Sequence, residues 1–566
     1  MEEQIAKSVR LEMDRTKLKT DLKTALTNPY IILLALVVLV TANSLKNGFL
    51  GDDDSILIVN NPRIDLSLKE LPSLFMKPLG AVPGRINQTF NFHYYRPILE
   101  LLYVCDYKVW GLNPVGFHLT NILFHFLNVI FVYHIGLLLF RNDKTISLIA
   151  AALFAVHPVN SEPLGRVALN ENVFGLFMIL AVFFFIKERE FLSWLTFSVA
   201  LLSKESAVML PFALCILLIN KSGLKKGIGV IMPYMLILGI YFVLRLIVVG
   251  PSLGMDLPQK SLPELLAMAA AFLDYVRLLI LPYPLHAFYP ARVYSSILHP
   301  KVLLSLPIIA ILLFLAFNLR KDRTMLFLLL SPFILLAPVI VNVNSFPLGV
   351  DKGYIAERFL YVPAMLFSLF VSGITMRFGD TNARRRLVTA FSVIVIAFAG
   401  LTMSSSQTWA DNMTFFSQMA KDAPDSSVTH YYKGTIFYSQ GKLEDARKEF
   451  ETALYPNPSS YTRNINYYGV HDSNGEGLAR KNKRLKYEAL SLALWEHQPV
   501  FAHIHFNLGR IYMAQGDVSR AIRKFKVTII LQPNFQYAHY YLGYAYMKTG
   551  QFDKAASEFR TYLRRD

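Results

Sequence analysis

Eleven or so long apolar runs, separated by short basic clusters, restrict this chain more than any other feature. They occupy roughly 30–48, 117–140, 145–160, 170–187, 191–203, 206–220, 228–249, 300–318, 325–343, 358–376 and 387–405. Runs of that length have nowhere to hide in a water-soluble fold, and backbone in lipid must satisfy its own hydrogen bonds, so helices are required. The composition agrees: 54% of the 566 residues are hydrophobic and 17% charged. The formal net charge of +17 would suit nucleic acid if it formed one patch. Instead many of the Lys and Arg residues fall at Arg141 to Lys144, Lys221 to Lys226, Arg320 to Arg323 and Arg377 to Arg386, the pattern of cytoplasmic loops, so no nucleic-acid partner is expected. Cys105 and Cys215 lie far apart in or beside apolar segments and indicate neither a disulfide nor a metal framework.

Residues 1–28 are charged, amphipathic and rich in Lys, with no small-residue cleavage site before Tyr30. They read as a cytoplasmic helix leading into a retained span. The segment Leu262 to Leu281 is apolar but carries Glu264, Asp274 and Arg277 between prolines. The basic loops keep a common side only if it does not cross alone, so an interfacial or re-entrant helix is predicted there. With the amino terminus inside, everything after Ser404 lies outside the cytoplasm. The polar segments that are not basic then gather on that same outer face: Asp52 to Asp54, Tyr95-Arg96-Pro97, His157-Pro158 with Glu162, Ser203-Lys204-Glu205, the stretch with His286, and Glu357-Arg358. Polar groups in such a setting mark a working face.

His118, Asn121, His125 and Asn128 form one polar stripe on an otherwise apolar span. Hydrogen bonding between helices is the expected role, and a spacing of seven sets the two histidines too far apart to ligate one metal. The tail differs in kind. Gly509, Tyr512, Gly516, Ala521 and Phe525 return as Gly543, Tyr546, Gly550, Ala555 and Phe559, 34 residues on, which is the tetratricopeptide signature. An earlier copy begins at Gly434. Allowing one degenerate repeat with an insertion around His471 to Lys483, about four helical hairpins are predicted in a solenoid. Its concave face is expected either to hold an extended peptide or to serve as a rigid cap on the membrane part.

Asn47-Gly48-Phe49 with the acids after it, Asn61-Pro62, Tyr95-Arg96-Pro97, Trp110-Gly111-x-Asn113-Pro114 through His125, His157-Pro158 with Glu162, Leu202-Ser203-Lys204-Glu205 and Glu357-Arg358-x-x-Tyr361-x-Pro363 resemble, in that order, the membrane-and-tetratricopeptide O-mannosyltransferases and their bacterial relatives. The resemblance implies an all-α fold of the glycosyltransferase C type: a polytopic membrane helical bundle over residues 29–408, with a first external loop at 46–116 that holds the base, and extracytoplasmic repeats over 409–566. It implies transfer of a sugar from a polyprenyl-phosphate carrier to an acceptor outside the cytoplasm. Chemically, inverting displacement of a lipid phosphate needs a carboxylate to take the acceptor's proton and cations to hold the phosphate. Alignment from Asn47 points to Asp52 and Asp53, and alignment back from Asn61 to Asp53 and Asp54, so Asp53 is the expected base. Arg358, then Lys204 and Arg96, are the candidate phosphate ligands, with Glu162, His157, His118 and Glu357 as pocket support. Asn170 and Asn172 stand where relatives often carry Arg and Asp, so mannose is not assumed as the donor sugar. No metal and no cofactor beyond the lipid-linked sugar are expected. A protein Ser or Thr hydroxyl is the expected acceptor; a lipid or envelope polysaccharide acceptor, or a non-enzymatic scaffold, are the alternatives.

Overall fold

The computed structural model describes residues 27–79, 94–168, 171–218, 223–250, 262–290, 294, 296–341, 353–377, 381–424, 426–454, 499–533 and 535–563. Most of the expected amino-terminal helix, Asn170, and the degenerate repeat with its insertion lie outside the described residues. In chain order the helices are α1 (Pro29–Thr41), α2 (Gly51–Asp54), α3 (Pro97–Trp110), α4 (Pro114–Leu139), α5 (Lys144–Ala155), α6 (Ser161–Gly165), α7 (Glu171–Ile186), α8 (Glu190–Ser203), α9 (Leu210–Leu218), α10 (Gly223–Val249) and α11 (Leu262–Ile280). They continue as α12 (Pro300–Leu319), α13 (Arg323–Val341), α14 (Tyr361–Gly373), α15 (Thr381–Ser406), α16 (Asn412–Asp422), α17 (Ser427–Ser439), α18 (Leu443–Leu454), α19 (Pro499–Ala514), α20 (Val518–Leu531), α21 (Gln536–Lys548) and α22 (Phe552–Leu563).

Every predicted apolar run is helical, but the lengths divide them. Seven are long and apolar enough to cross a membrane: Pro29–Lys46, Pro114–Leu139, Gly227–Val249, Pro300–Leu319, Arg323–Val341, Glu357–Arg377 and Asn382–Trp409. Four others, Lys144–Ala155, Glu171–Ile186, Glu190–Ser203 and Glu205–Leu218, are shorter. At about 1.5 Å per residue, a helix such as α5 reaches only about 18 Å of a hydrocarbon layer near 30 Å thick. The shortening has a local cause. α5 stops just before His157-Pro158, α7 begins on Glu171, and α8 ends at Ser203 against Lys204. α11 is not among the seven; its Asp274 is gripped by Lys301 Nζ at 2.7 and 2.8 Å. One short antiparallel ladder pairs β1 (Tyr289–Pro290) with β2 (Gly353–Ile355).

α4 runs through the middle of the bundle, and its polar stripe is buried throughout. Asn121 Nδ2 donates to Arg166 O at 3.3 Å, and Asn128 Nδ2 to Asn172 O at 2.7 Å. His125 Nε2 meets the Ala155 carbonyl at 3.1 Å, so that nitrogen donates and Nδ1 accepts from the Tyr361 hydroxyl at 2.7 Å. The stripe joins helices, as its spacing predicted.

Beyond Trp409, three hairpins are described: α17 with α18, α19 with α20, and α21 with α22. In each, a glycine of the first helix receives an aromatic ring of the second: Gly434 and Phe450, Gly509 and Phe525, Gly543 and Phe559. A Cβ at Gly509 would stand 2.5 Å from the Phe525 ring. Gly509→Ala is expected to lower repeat stability by about 1–3 kcal/mol through overpacking. Gly239→Ala, with nothing within 4 Å of the added Cβ, is the control. Urea-dependent proteolysis of the full-length protein in detergent checks both.

Candidate functional site

The acidic stretch follows α1 and a short 3-10 turn ending at Lys46. Gly51 sits at φ +64°, a conformation that favours glycine, and starts the single turn α2. On a helical turn successive side chains diverge by about 100°, so Asp53 and Asp54 face different ways. Asp54 points inward and is fully buried; Oδ2 accepts from Leu50 N–H at 2.6 Å and Oδ1 from Ala168 N–H at 2.8 Å. Sequence reasoning grouped Asp54 with the catalytic acids, but both its oxygens are spent anchoring the loop. Burial, opposed by Arg166 and these two N–H groups, pushes its carboxyl up to about 6. Asp53 keeps 42% of its side chain exposed and meets Arg166 Nη2 through Oδ2 at 2.8 Å. The Asp52 side chain lies outside the described residues.

Arg166 opens a relay of charges. Four residues before it, Glu162 Oε1 lies 3.6 Å from Arg166 Nη1 and accepts from Arg358 Nη1 at 2.5 Å, while its Oε2 accepts from the Arg358 backbone N–H at 3.0 Å. Asp53, Arg166, Glu162 and Arg358 therefore form one connected line, and Asp53 also acts electrostatically on Arg358. Beside it Lys204 pairs with Glu171 and lies 4.9 Å above the Phe359 ring. Arg96 donates through Nε and Nη2 to Glu205 Oε2 at 2.9 and 2.8 Å, close enough for its charge to act on Lys204.

Lys204, Glu171 and Arg358 line a small open cleft together with Ser206 and a set of apolar side chains, among them Phe174, Met178, Leu335, Val339 and Val362. Asp53 and Arg96 lie outside that lining. The other expected support residues hold the frame. His157 Nε2 donates to Leu279 O at 3.2 Å, and Nδ1 accepts from Val159 N–H at 3.5 Å. His118 is buried against the backbone of Asn47 and Leu164. Glu357 Oε1 accepts from the Tyr289 hydroxyl at 2.7 Å and from His286 N–H at 3.1 Å. Among the described residues no group of three or more His, Cys, Asp or Glu is placed to hold a metal ion.

Sequence reasoning missed Arg166, Glu171 and a wall supplied by the tail. Asn412 Oδ1 accepts from Gly51 N–H at 2.7 Å, the Phe415 ring lies 5.6 Å from the Arg166 guanidinium, and Trp409 packs on Gly165. Asp422, at the end of α16, accepts from His286 Nδ1 at 3.0 Å and Ala287 N–H at 2.7 Å. α16, which follows the expected boundary at 409, thus packs on the turn that carries Asp53 and on Arg166. Arg166 was signalled by its spacing of four from Glu162, and Glu171 by a charge opening an otherwise apolar helix.

These features define a multi-pass helical membrane protein with a charged cleft and a tetratricopeptide tail. Residues 506–566 match the family model described as Tetratricopeptide repeat. Over most of its length the chain is similar to proteins named as O-mannosyl-transferases. A Protein O-mannosyl-transferase of Caenorhabditis elegans is 26% identical over 453 residues, 76% of this chain and 63% of the relative. Protein O-mannosyl-transferase TMTC3 of Mus musculus is 24% identical over 515 residues, 79% of this chain and 52% of the relative. Protein O-mannosyl-transferase TMTC4 of Homo sapiens is 33% identical over 149 residues, 23% of this chain and 19% of the relative. The chain spans between about half and two thirds of the length of the first two relatives.

The Asp54 carboxyl binds its proton more tightly in the folded protein, at about 6, than in the unfolded chain, at 3.8. Its contribution to stability is therefore complete below about pH 4 and is lost as the pH rises through about 6, an effect on the order of 2–3 kcal/mol. Asp54→Asn should flatten the dependence of the thermal midpoint on pH across that window, measured in detergent against wild type.

Proposed function

We propose that the chain is a glycosyltransferase that moves a sugar from a polyprenyl-phosphate carrier to a Ser or Thr hydroxyl of a polypeptide, at the extracytoplasmic face of its membrane. One observation carries the donor half: the cleft sets Lys204 and Arg358 beside an apolar wall, the arrangement that suits a phosphate with a hydrocarbon tail. The names of the relatives support the acceptor half.

In this reading Asp53 is the base. Arg166 occupies Asp53 Oδ2 and leaves Oδ1 without a hydrogen bond among the described residues. The acceptor O–H gives its proton to Asp53 as its oxygen bonds to the anomeric carbon. The bond from that carbon to the phosphate oxygen breaks, and the lipid phosphate leaves with the electron pair, its growing charge met by Arg358 and Lys204. Approach of the nucleophile opposite the leaving group gives inversion. Asp53 lies off the cleft lining, toward α16, so the acceptor enters from the repeat side. The counter-charge comes from Arg and Lys, and no metal is assigned to the step; turnover unchanged by chelator is the expected result.

Asp53→Asn should lower transfer to a peptide about 10²–10⁴-fold, the range for removing a general base, while leaving donor binding in place. Arg358→Ala should weaken donor binding as well as turnover. Purified protein with polyprenyl-phosphate sugar and a peptide acceptor tests both, and wild-type turnover by Asp53→Asn would remove it from the role. Because α16 walls the site, truncation at Gln407 should abolish transfer to any acceptor. Truncation after Ala423 should retain donor binding and lose peptide transfer, whereas unchanged transfer to a lipid acceptor there would favour the envelope-lipid alternative.

A further inference from the structure

The cleft contains polar groups that the proposed transfer leaves unused. Its polar lining residues are Lys204, Arg358, Glu171 and Ser206. The two cations suit a phosphate, but a carboxylate in the same place repels one. Burying that charge is costly unless it is paired and hydrogen-bonded, and the structure pairs only part of it. Glu171 Oε1 accepts from Lys204 Nζ, while Oε2 has no hydrogen bond among the described residues.

Glu171 is set in place by the frame around it. It is the first residue of α7, and the carbonyl of its neighbour Asn172 accepts from Asn128 Nδ2 at 2.7 Å, while Asn172 Nδ2 donates to Pro163 O at 3.3 Å. Its side chain is only 3% exposed, and its charge acts on Lys204, Arg96 and Arg358, so it stands among the cations. Ser206 comes from a different element, the 3-10 turn Glu205–Met209, and its hydroxyl has no hydrogen bond among the described residues. Phe174 and Phe359 share the lining with both. A carboxylate oxygen and a hydroxyl among apolar and aromatic side chains are what a ligand with several hydroxyls on a carbon ring requires: charge-assisted bonds for the hydroxyls and apolar cover for the ring.

We infer that Glu171, accepting through Oε2, and Ser206 read hydroxyl groups of the sugar on the donor lipid and so determine which sugar is taken. A site built to bond a hydroxyl discriminates strongly against a ligand that lacks it, because its own buried polar group is then left unpaired. The same carboxylate repels a phosphate that brings no hydroxyl, which favours the loaded carrier over the spent one. The inference deepens the proposed function and rests on it for the placing of the phosphate at Lys204 and Arg358.

The test measures binding of polyprenyl phosphodiesters to the full-length protein in detergent by calorimetry. One lipid carries mannose and one glucose; the reference carries a methyl group, so all share a single negative charge. Wild type should bind one of the hexosyl lipids about tenfold more tightly than the reference, the scale of one charge-assisted hydrogen bond. Glu171→Gln should cut that preference to about twofold or less, while tightening the reference, from which a repelling charge has been removed. Ser206→Ala, which disturbs no ion pair, should cut the preference about threefold and leave the reference affinity unchanged; it decides the matter where Glu171→Gln does not fold. Equal binding of all the lipids by wild type, or an undiminished preference in the folded variants, would overturn the inference. Weakening of every lipid by Glu171→Gln with the preference intact would assign the carboxylate to holding Lys204 alone and overturn it as well. Arg358→Ala should weaken every lipid. If it weakens none, the placing of the phosphate fails and the proposed function with it; if it weakens all while wild type shows no preference, the sugar reading fails alone.

Discussion

Glu162 is the hinge on which the site turns. One carboxylate, almost wholly buried, faces two guanidiniums, Arg166 at 3.6 Å and Arg358 at 2.5 Å. Removing charges from water costs several kcal/mol each, so a buried pair is weak evidence of stability. Its use here is position: the backbone N–H of Arg358 also binds Glu162, fixing the start of the helix that follows. Counting the connected groups, Asp53, Glu162, Glu171 and Glu205 contribute −4, and Arg166, Arg358, Lys204 and Arg96 contribute +4. In formal charge these four pairs balance. In the proposed transfer, Asp53 gains a proton as the lipid phosphate gains a negative charge, so the pairs gain positive charge as the leaving group departs.

A membrane bundle that keeps eight charged groups together has to interrupt helices to do so. Irregular backbone at depth is tolerated only where protein buries it or where it lines a cavity. α5 ends at Ala155, two residues before His157, α7 begins on Glu171 and α8 ends at Ser203, just before Lys204; in the break between α6 and α7, Ala168 N–H donates to Asp54 at 2.8 Å. The same breaks that admit charge also leave these helices too short to cross on their own. Site and architecture are one constraint seen twice.

Much of this was readable in the sequence, and the misses have physical reasons. Apolar runs report helices well because lipid and core both demand them, and the 34-residue period reports hairpins because Gly and Phe must meet in every repeat. Run length reported crossing less well, since apolar residues continue past a helix end wherever the loop is also buried, as at Val156 and Val159. The acidic triplet announced an acidic loop but not its division of labour. Whether a residue of α2 faces Arg166 or the Leu50 amide depends on a turn set by Gly51 and on a partner more than a hundred residues away. His157 and Glu357 sit in motifs that look chemical, yet their hydrogen bonds go to backbone and to Tyr289.

The boundary between membrane part and tail is where separate reading of the two fails. α16 belongs to the site through Asn412 and Phe415 and to the repeats through Phe416, whose ring stacks on Tyr432 of α17 at 4.6 Å. Asp422 at its far end holds His286, whose backbone N–H holds Glu357, the neighbour of Arg358. A displacement of α17 relative to the bundle would pull on the loop that carries Asp53 and on the turn that carries Arg358 together. The repeats are therefore mechanically continuous with the charged relay. Of the two roles weighed for the tail from sequence, a rigid cap and a peptide-holding array, the contacts of α16 are those of a cap.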